Sequence, residues 1–390
     1  MSAPEPKPPG PPGPVGHPRA VWRTAGGDPA RRALFDGPAG TLADPTSWFR
    51  AAGPVQASPV FDHAGRSYVA DLSGSVQSHS ATGEHRWTTR LNAAISASPV
   101  LDPTDERLFV GTHDGTVAAL DTARGTLAWR RSLPSHTDPR ILADPLFLPG
   151  SKAVLFSSWG GRGWLLNAAD GEPVTDWNAG AFPRAAPAAD ARDVVFFLRA
   201  VPERGVEWVR RHPGGDEEVL HLEPDPPQGA TPGRLTAGPL LDEGRSVAYG
   251  VLPLGATARL LAWDLDADRV RWTRDLPAAV HAPPGLLPGG HLVVADLAGH
   301  VHRIDPDGGI RFSVSLECDY LLAGGVCPGD DRWILGDPLG RLNEIRSDGS
   351  LHRRFLAPRA IQGRPAIDPS GNVLVPCMDG TVYRLANQTA

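Results

Sequence analysis

Apolar residues along this chain come in short runs of about five, broken by turns rich in Gly, Asp and Pro. The runs Thr116-Val117-Ala118-Ala119-Leu120, His300-Val301-His302-Arg303-Ile304 and Thr381-Val382-Tyr383-Arg384-Leu385 read as β-strands by length and alternation. Each follows a tight turn: Asp114-Gly115, Ala298-Gly299 or Asp379-Gly380. Glycine supplies the positive φ that such hairpin turns require. A second strand precedes each turn, as in Leu108-Phe109-Val110-Gly111 and Asn372-Val373-Leu374-Val375.

These signals recur in a fixed order. A small residue and a Pro open each unit: Ala57-Ser58-Pro59, Ala97-Ser98-Pro99, Ala143-Asp144-Pro145, Ala186-Pro187, Ala237-Gly238-Pro239, Ala282-Pro283-Pro284 and Gly363-Arg364-Pro365. A degenerate copy stands at Gly324-Gly325-Val326. From Pro59 to Pro365 the mean period is about 44 residues, and four short strands per period form the blade of a β-propeller. The predicted fold is all-β: an eight-bladed β-propeller of four-stranded antiparallel blades.

The eighth unit ends before a fourth strand. Trp48 stands 11 residues before Pro59, as Trp272 does before Pro283, and so occupies a fourth-strand position one blade early. Closure is therefore expected by pairing of the N-terminal strand at Trp48 with Thr381–Leu385. This pairing removes the exposed edges of an open array. The expected organisation is a Pro/Gly-rich disordered leader over 1–20, a lead-in over 21–47 and the propeller over 48–390.

The outer part of each unit carries a spaced motif. Ala119, Asp121, Gly125 and Trp129 fall at motif positions 1, 3, 7 and 11, and Ala262, Asp264 and Trp272 repeat that spacing. Trp87 follows Gly83 at the same interval, and Trp177 comes two residues late after Gly171. Phe312 and Phe355 replace Trp in weaker copies, and Val219 holds the place after Gly215. An Asx turn at Asp, a reversal at Gly and a flat ring between blades account for the pattern. It resembles the tryptophan-docking repeat of the pyrroloquinoline-quinone-like (PQQ-like) propellers, over residues 48–390, and Val21–Asp28 is similar to their lead-in. That family contains quinoprotein dehydrogenases and a non-enzymatic lipoprotein subunit of the outer-membrane barrel-assembly machinery. The resemblance thus implies the propeller fold and leaves catalysis open.

Composition narrows the choice. The 44 glycines and 41 prolines exclude long helices, and the 41% hydrophobic content excludes a disordered chain. A net charge of −6 with mixed signs is not the basic footprint of a nucleic-acid binder. No apolar run approaches the ~18 residues of a membrane span, and the N-terminus has no signal-peptide pattern, so a cytoplasmic monomer is expected unless the true start lies upstream. Cys318, Cys327 and Cys377 are sparse and not adjacent, whereas the resemblance implies adjacent cysteines, calcium-ligating Glu and Asn, and a catalytic Asp in the dehydrogenases.

No catalytic residue, cofactor or metal site is therefore expected. His300, His302 and His291 are too few to define a metal centre without a further converging ligand. Asp71, Asp114, Asp296, Asp337 and Asp379 should gather on one rim, as turn formers or as a cation or partner site. The connections from fourth to first strands should share that rim. They offer His136, Asp138, Arg140, His281, Asp319, Tyr320, Arg359 and Gln362 as candidate binding residues, or as ordinary loop positions. Residues 205–236 read as an insert or an eroded repeat. The expected function is a non-catalytic scaffold for a protein or peptide. The alternative is an enzyme using the central funnel, either a divergent quinoprotein dehydrogenase or a metal-assisted hydrolase or lactonase.

Overall fold

The structure is a computed structural model and describes residues 21–37, 40–134, 138–180, 184–201, 203–224 and 236–388. The leader over 1–20 and His136 lie outside the described residues. Apart from two short 3-10 turns at Glu243–Arg245 and Pro288–Gly290, the elements are strands. No helix among the described residues is long and apolar enough to cross a membrane.

Eight antiparallel sheets form the ring. Blade two is representative, with strands Val100–Leu101, Arg107–Gly111, Thr116–Asp121 and Leu127–Ser132 from axis to rim. Burial falls radially: the two inner strands are almost wholly buried, whereas the outermost alternates. This explains why the second strands read as continuous apolar runs, since both faces of a blade pack against neighbouring blades. The apolar clusters accordingly lie between blades: Tyr68 and Val76 of blade one pack with Leu101, Leu108 and Val110 of blade two. Every outermost strand carries a β-bulge. In blades two and five the bulge sets motif position 11 opposite position 1, Trp129 opposite Ala119 and Trp272 opposite Ala262.

Thr46–Arg50 pairs antiparallel with Thr381–Leu385, and so completes blade eight. Thr46 faces Arg384 and Ser47 faces Tyr383, while Trp48 forms the bulge. The strand begins two residues before the domain boundary expected from Trp48. Thr41–Leu42 adds a second pairing with Asn387–Gln388.

Blade seven departs from the four-stranded expectation. It has three strands, Trp333–Gly336, Arg341–Ile345 and Leu351–Leu356, and its innermost position is reduced to a bridge between Val326 and Ile334. Gly325 lies against the Trp333 indole, and Leu34 pairs in parallel with Cys327 where a longer inner strand would otherwise run. Nor is 205–224 an inserted loop: Gly205–Arg211 and Glu217–Pro224 are the third and fourth strands of blade four. Residues 225–235 lie outside the described set.

The lead-in is part of the ring. Carbonyls of Trp22, Arg23, Pro29, Ala30, Arg32 and Ala33 accept backbone N–H groups of Phe61, Leu101, Ala189, Leu241, Leu286 and Cys327. Six blades are thereby tied to one segment crossing the axis. Arg31 reaches a seventh: its Nη2 donates to the carbonyls of Asp144 and Pro145, at 3.1 and 3.0 Å. Trp22 beside it is 2% exposed. Burial pulls the Arg31 guanidinium below its ordinary value, with Asp144 and Asp28 opposing.

Candidate functional site

The tryptophan motif is a docking device between blades. Trp87 of blade one lies on Gly125 of blade two, and its Nε1 donates to the Thr122 carbonyl at 2.9 Å. Trp129 repeats the arrangement on Gly171 with the Ala168 carbonyl, 2.9 Å, and Trp272 on Gly308 with the Pro306 carbonyl, 2.8 Å. Trp48 covers Gly83 across the closure seam, and Phe312 covers Gly349. Asp121 and Asp264 accept backbone N–H groups of Arg124 and Ala267, both at 2.9 Å, which shapes the turns that present these surfaces.

Three interfaces use other solutions. Trp177, shifted along its strand, is covered by the Arg211 guanidinium at 4.4 Å. Val219 is 47% exposed and docks nothing; Trp208 and Trp263 meet edge to face at 6.5 Å between blades four and five instead. Phe355 packs on Tyr383 at 4.7 Å. Trp208 and Trp263 stand on the third strands of blades four and five, away from the motif's ring position, and no spacing signal marks them.

The rim aspartates are used up by their own turns. Asp71 Oδ1 accepts Ser73 N–H at 2.8 Å, Asp114 accepts Thr116 N–H at 3.0 Å, and Asp337 accepts Leu339 and Arg341 N–H at 2.9 Å. Asp379 takes Thr381 N–H at 2.7 Å and the Tyr383 hydroxyl at 2.8 Å. Asp296 takes His300 N–H at 2.9 Å and faces His302 Nε2 at 3.0 Å. Burial alone would raise the Asp296 carboxyl, but the bonds from His302 and His300 outweigh it and hold it low. His302 also meets the Ser313 hydroxyl, and His291 faces Asp305 instead. His291 therefore does not converge on His300 and His302, which both face Asp296.

Second turns and fourth-to-first connections share one rim: His113 N–H bonds the Ala94 carbonyl, Trp159 N–H that of Arg140, and Met378 N–H that of Ala360. Inside this rim lies a cavity of about 320 Å³. All eight connections contribute to it, from Ser58, Ser98, Asp144, Arg184, Thr236, Pro283, Gly324 and Arg364. Ser58 N–H donates to Ser98 Oγ at 2.9 Å, and Ser98 N–H to Asp144 Oδ1 at 2.6 Å, so the residue before the repeated Pro links blade to blade at the axis.

Of the sequence-derived rim residues, His281, Tyr320 and Gln362 line this cavity. Arg140 is paired with Asp138 and covers Trp159, itself a lining residue, at 5.7 Å. Asp319 and Arg359 are exposed outside the cavity wall. Arg184 and Arg364 line the cavity and were not singled out as site residues from the sequence: Arg184 sits in no motif, and Arg364 was read only as part of the eighth Pro step.

The fold and this rim define a PQQ-like repeat β-propeller. The model of the family described as outer membrane protein assembly factor BamB matches residues 19–198. The structure of BamB from Moraxella catarrhalis superposes with a TM-score of 0.71 at 18% identity, covering 88% of this chain and 99% of that one. A europium-containing methanol dehydrogenase gives 0.73 at 12% identity, covering 92% and 89%. The computationally designed protein Ika8 gives 0.66 at 14% identity, covering 87% and 99%. A comparison with curated proteins found no match. At these identities the likeness is one of fold, and an enzyme and an outer membrane protein assembly factor share it.

The residues present do not suit the metal site that the resemblance to quinoprotein dehydrogenases implied. Among the described residues no three His, Cys, Asp or Glu side chains are grouped to hold a metal ion. The single carboxylate on the described cavity wall is Asp144. The three cysteines are unpaired, and burial raises the Cys327 and Cys377 thiols to about 12 and about 11.

Proposed function

We propose that the chain is a non-catalytic binding propeller whose open rim, built from the fourth-to-first connections, docks a protein or peptide partner. The observation that carries this is the division of labour on that rim. The turn aspartates are spent within their own turns and strands, whereas Tyr320, 67% exposed, lines a cavity to which every blade contributes, and Arg359 stands exposed beside it. Aromatic and Arg side chains around a concave opening suit interface anchors. The likeness to BamB, described as an assembly factor, supports the same reading.

The test is affinity capture from the source cells with the wild type, a Tyr320→Ala/Arg140→Ala variant, and Arg124→Ala in an opposite-rim turn. A partner retained by wild type and Arg124→Ala but lost from the double variant supports the docking rim. An unchanged profile in the double variant rejects it.

A further inference from the structure

The residue before the repeated Pro is small in most blades: Ser58, Ser98, Ala186 and Gly238 stand where blade eight carries Arg364. An Arg at the narrowest point of the ring needs room. Gly324 supplies it on one side, lying against Arg364 Nη2, and Gly26 of the lead-in supplies it on the other, where an added Cβ would meet Nη1 at 2.8 Å. The guanidinium crosses to blade six, and Nη2 donates to the carbonyls of Pro283 and Pro284, both at 2.9 Å. Its Nε has no hydrogen-bond partner, although Arg364 is only 8% exposed. A buried cation fully satisfied by protein would carry a carboxylate and bonds to every N–H. Arg364 forms no ion pair within 4 Å with any described residue, and it lines the cavity.

Two further groups share that wall. Arg184 lines the cavity and makes no ion pair within 4 Å with any described residue. The buried Thr236 hydroxyl also has no partner. Two guanidinium groups thus face a cavity whose one described carboxylate, Asp144, already accepts Ser98 N–H. Burial lowers the Arg364 guanidinium to about 10, with Asp144 raising it and Arg31 lowering it further. Burial also lowers Arg184, against Asp144.

We propose that this cavity binds the carboxylate of an organic ligand, with Arg364 and Arg184 as its charged contacts and the Thr236 hydroxyl as a further donor. The planar fork of Arg matches a carboxylate. A monoanion fits better than a phosphate dianion, because Asp144 shares the wall. An apolar body fits beside Trp159, Leu142 and Leu322. The proposal rests on the reading of this rim as the docking face, and it specifies what enters the opening. The carboxylate comes either from a free small acid or from the C-terminus of a peptide.

The test is calorimetric titration of the full chain with four probes plus inorganic phosphate. The probes are benzoate, benzamide, and the tripeptide acetyl-Ala-Ala-Phe as free acid and as C-terminal amide. The expected result is binding of at least one acid, tenfold or more weaker binding of its amide, and weakening with added salt. Arg184→Gln, which removes no bond to a described residue, should weaken the acid at least tenfold. Arg364→Gln should do the same if its melting profile is native, and Thr236→Val takes its place if that variant does not fold. Benzoate binding assigns a free acid, and binding of the tripeptide acid alone assigns a peptide terminus. Equal binding of acid and amide, no binding of either acid at millimolar concentration, phosphate binding as tightly as the acids, or full affinity in Arg184→Gln overturns the proposal. A partner lost from the Tyr320→Ala/Arg140→Ala variant but retained by Arg184→Gln leaves the docking rim standing and removes the carboxylate site. Acid binding with no rim-dependent partner does the reverse.

Discussion

Replacing Gly125 by Ala separates backbone strain from docking. Gly125 has φ of 73°, and a Cβ there would meet the Trp87 ring at 2.5 Å and Thr89 Oγ1 at 2.9 Å. Gly65 has the nearly identical φ of 74°, but its added Cβ would meet its nearest neighbour, Ala81 Cβ, only at 3.3 Å. Both substitutions incur the left-handed cost of about 1–2 kcal/mol. Only at Gly125 must the indole also move, which strips the Trp87–Thr122 bond, worth about 0.5–1.5 kcal/mol, and opens the packing behind it by roughly 1–2 kcal/mol more. Gly65→Ala should therefore cost about 1–2 kcal/mol, and Gly125→Ala about 3–5 kcal/mol. Urea unfolding followed by tryptophan fluorescence compares the two midpoints at constant slope. Equal losses would refute the claim that glycine is present at this position to receive a ring from the neighbouring blade.

Three other outcomes are expected. Trp129→Ala should cost about 3–5 kcal/mol, the range for a buried Trp, and a negligible shift in unfolding midpoint would show that its ring is not wedged between blades. Deleting residues 370–390 removes the strand that Thr46–Arg50 pairs with and should abolish the cooperative transition; an unchanged melting profile would contradict closure by terminal pairing. At the same seam His79, 3% exposed and stacked on Phe49 at 3.6 Å, is held by burial and by His85 at about 4. The unfolded chain takes up that proton near the ordinary histidine value and the folded chain does not. Stability is therefore complete above that value and falls as pH drops toward 4, at about 1.4 kcal/mol per pH unit from this group. His79→Phe keeps the stack and should flatten the slope of melting temperature between pH 6.5 and 4; an identical slope would exclude His79 as its source.

The repeat was legible because each blade is specified by short-range signals: a Pro step, Asx turns, and glycines such as Gly125 and Gly171 at a fixed interval from a ring. Closure was legible by counting, since Trp48 stood one blade early. The lead-in was not read as an axial tie. Its bonds to six blades run through main-chain carbonyls, which leave no periodicity in residues 22–33. Trp208 and Trp263 were missed because they replace the motif from third strands, after Val219 had eroded it. Arg211 over Trp177 likewise depends on side-chain reach between blades, which spacing does not encode. The same holds for the cavity. Ser58, Ser98 and Asp144 were visible as a repeated position, but that Arg364 crosses the axis past Gly26 and Gly324 follows only from three dimensions.

The central functional claim concerns which face of the ring does the binding. Hydrogen exchange of the wild-type chain, with and without the partner recovered by capture, tests it directly. Protection is expected only in the fourth-to-first connections around the cavity, at 93–98, 138–144, 277–283, 317–324 and 357–364, with no change in the opposite-rim turns at 80–84 and 122–126. Protection of those opposite turns, or of the outermost strands alone, with the connections unchanged, would contradict it.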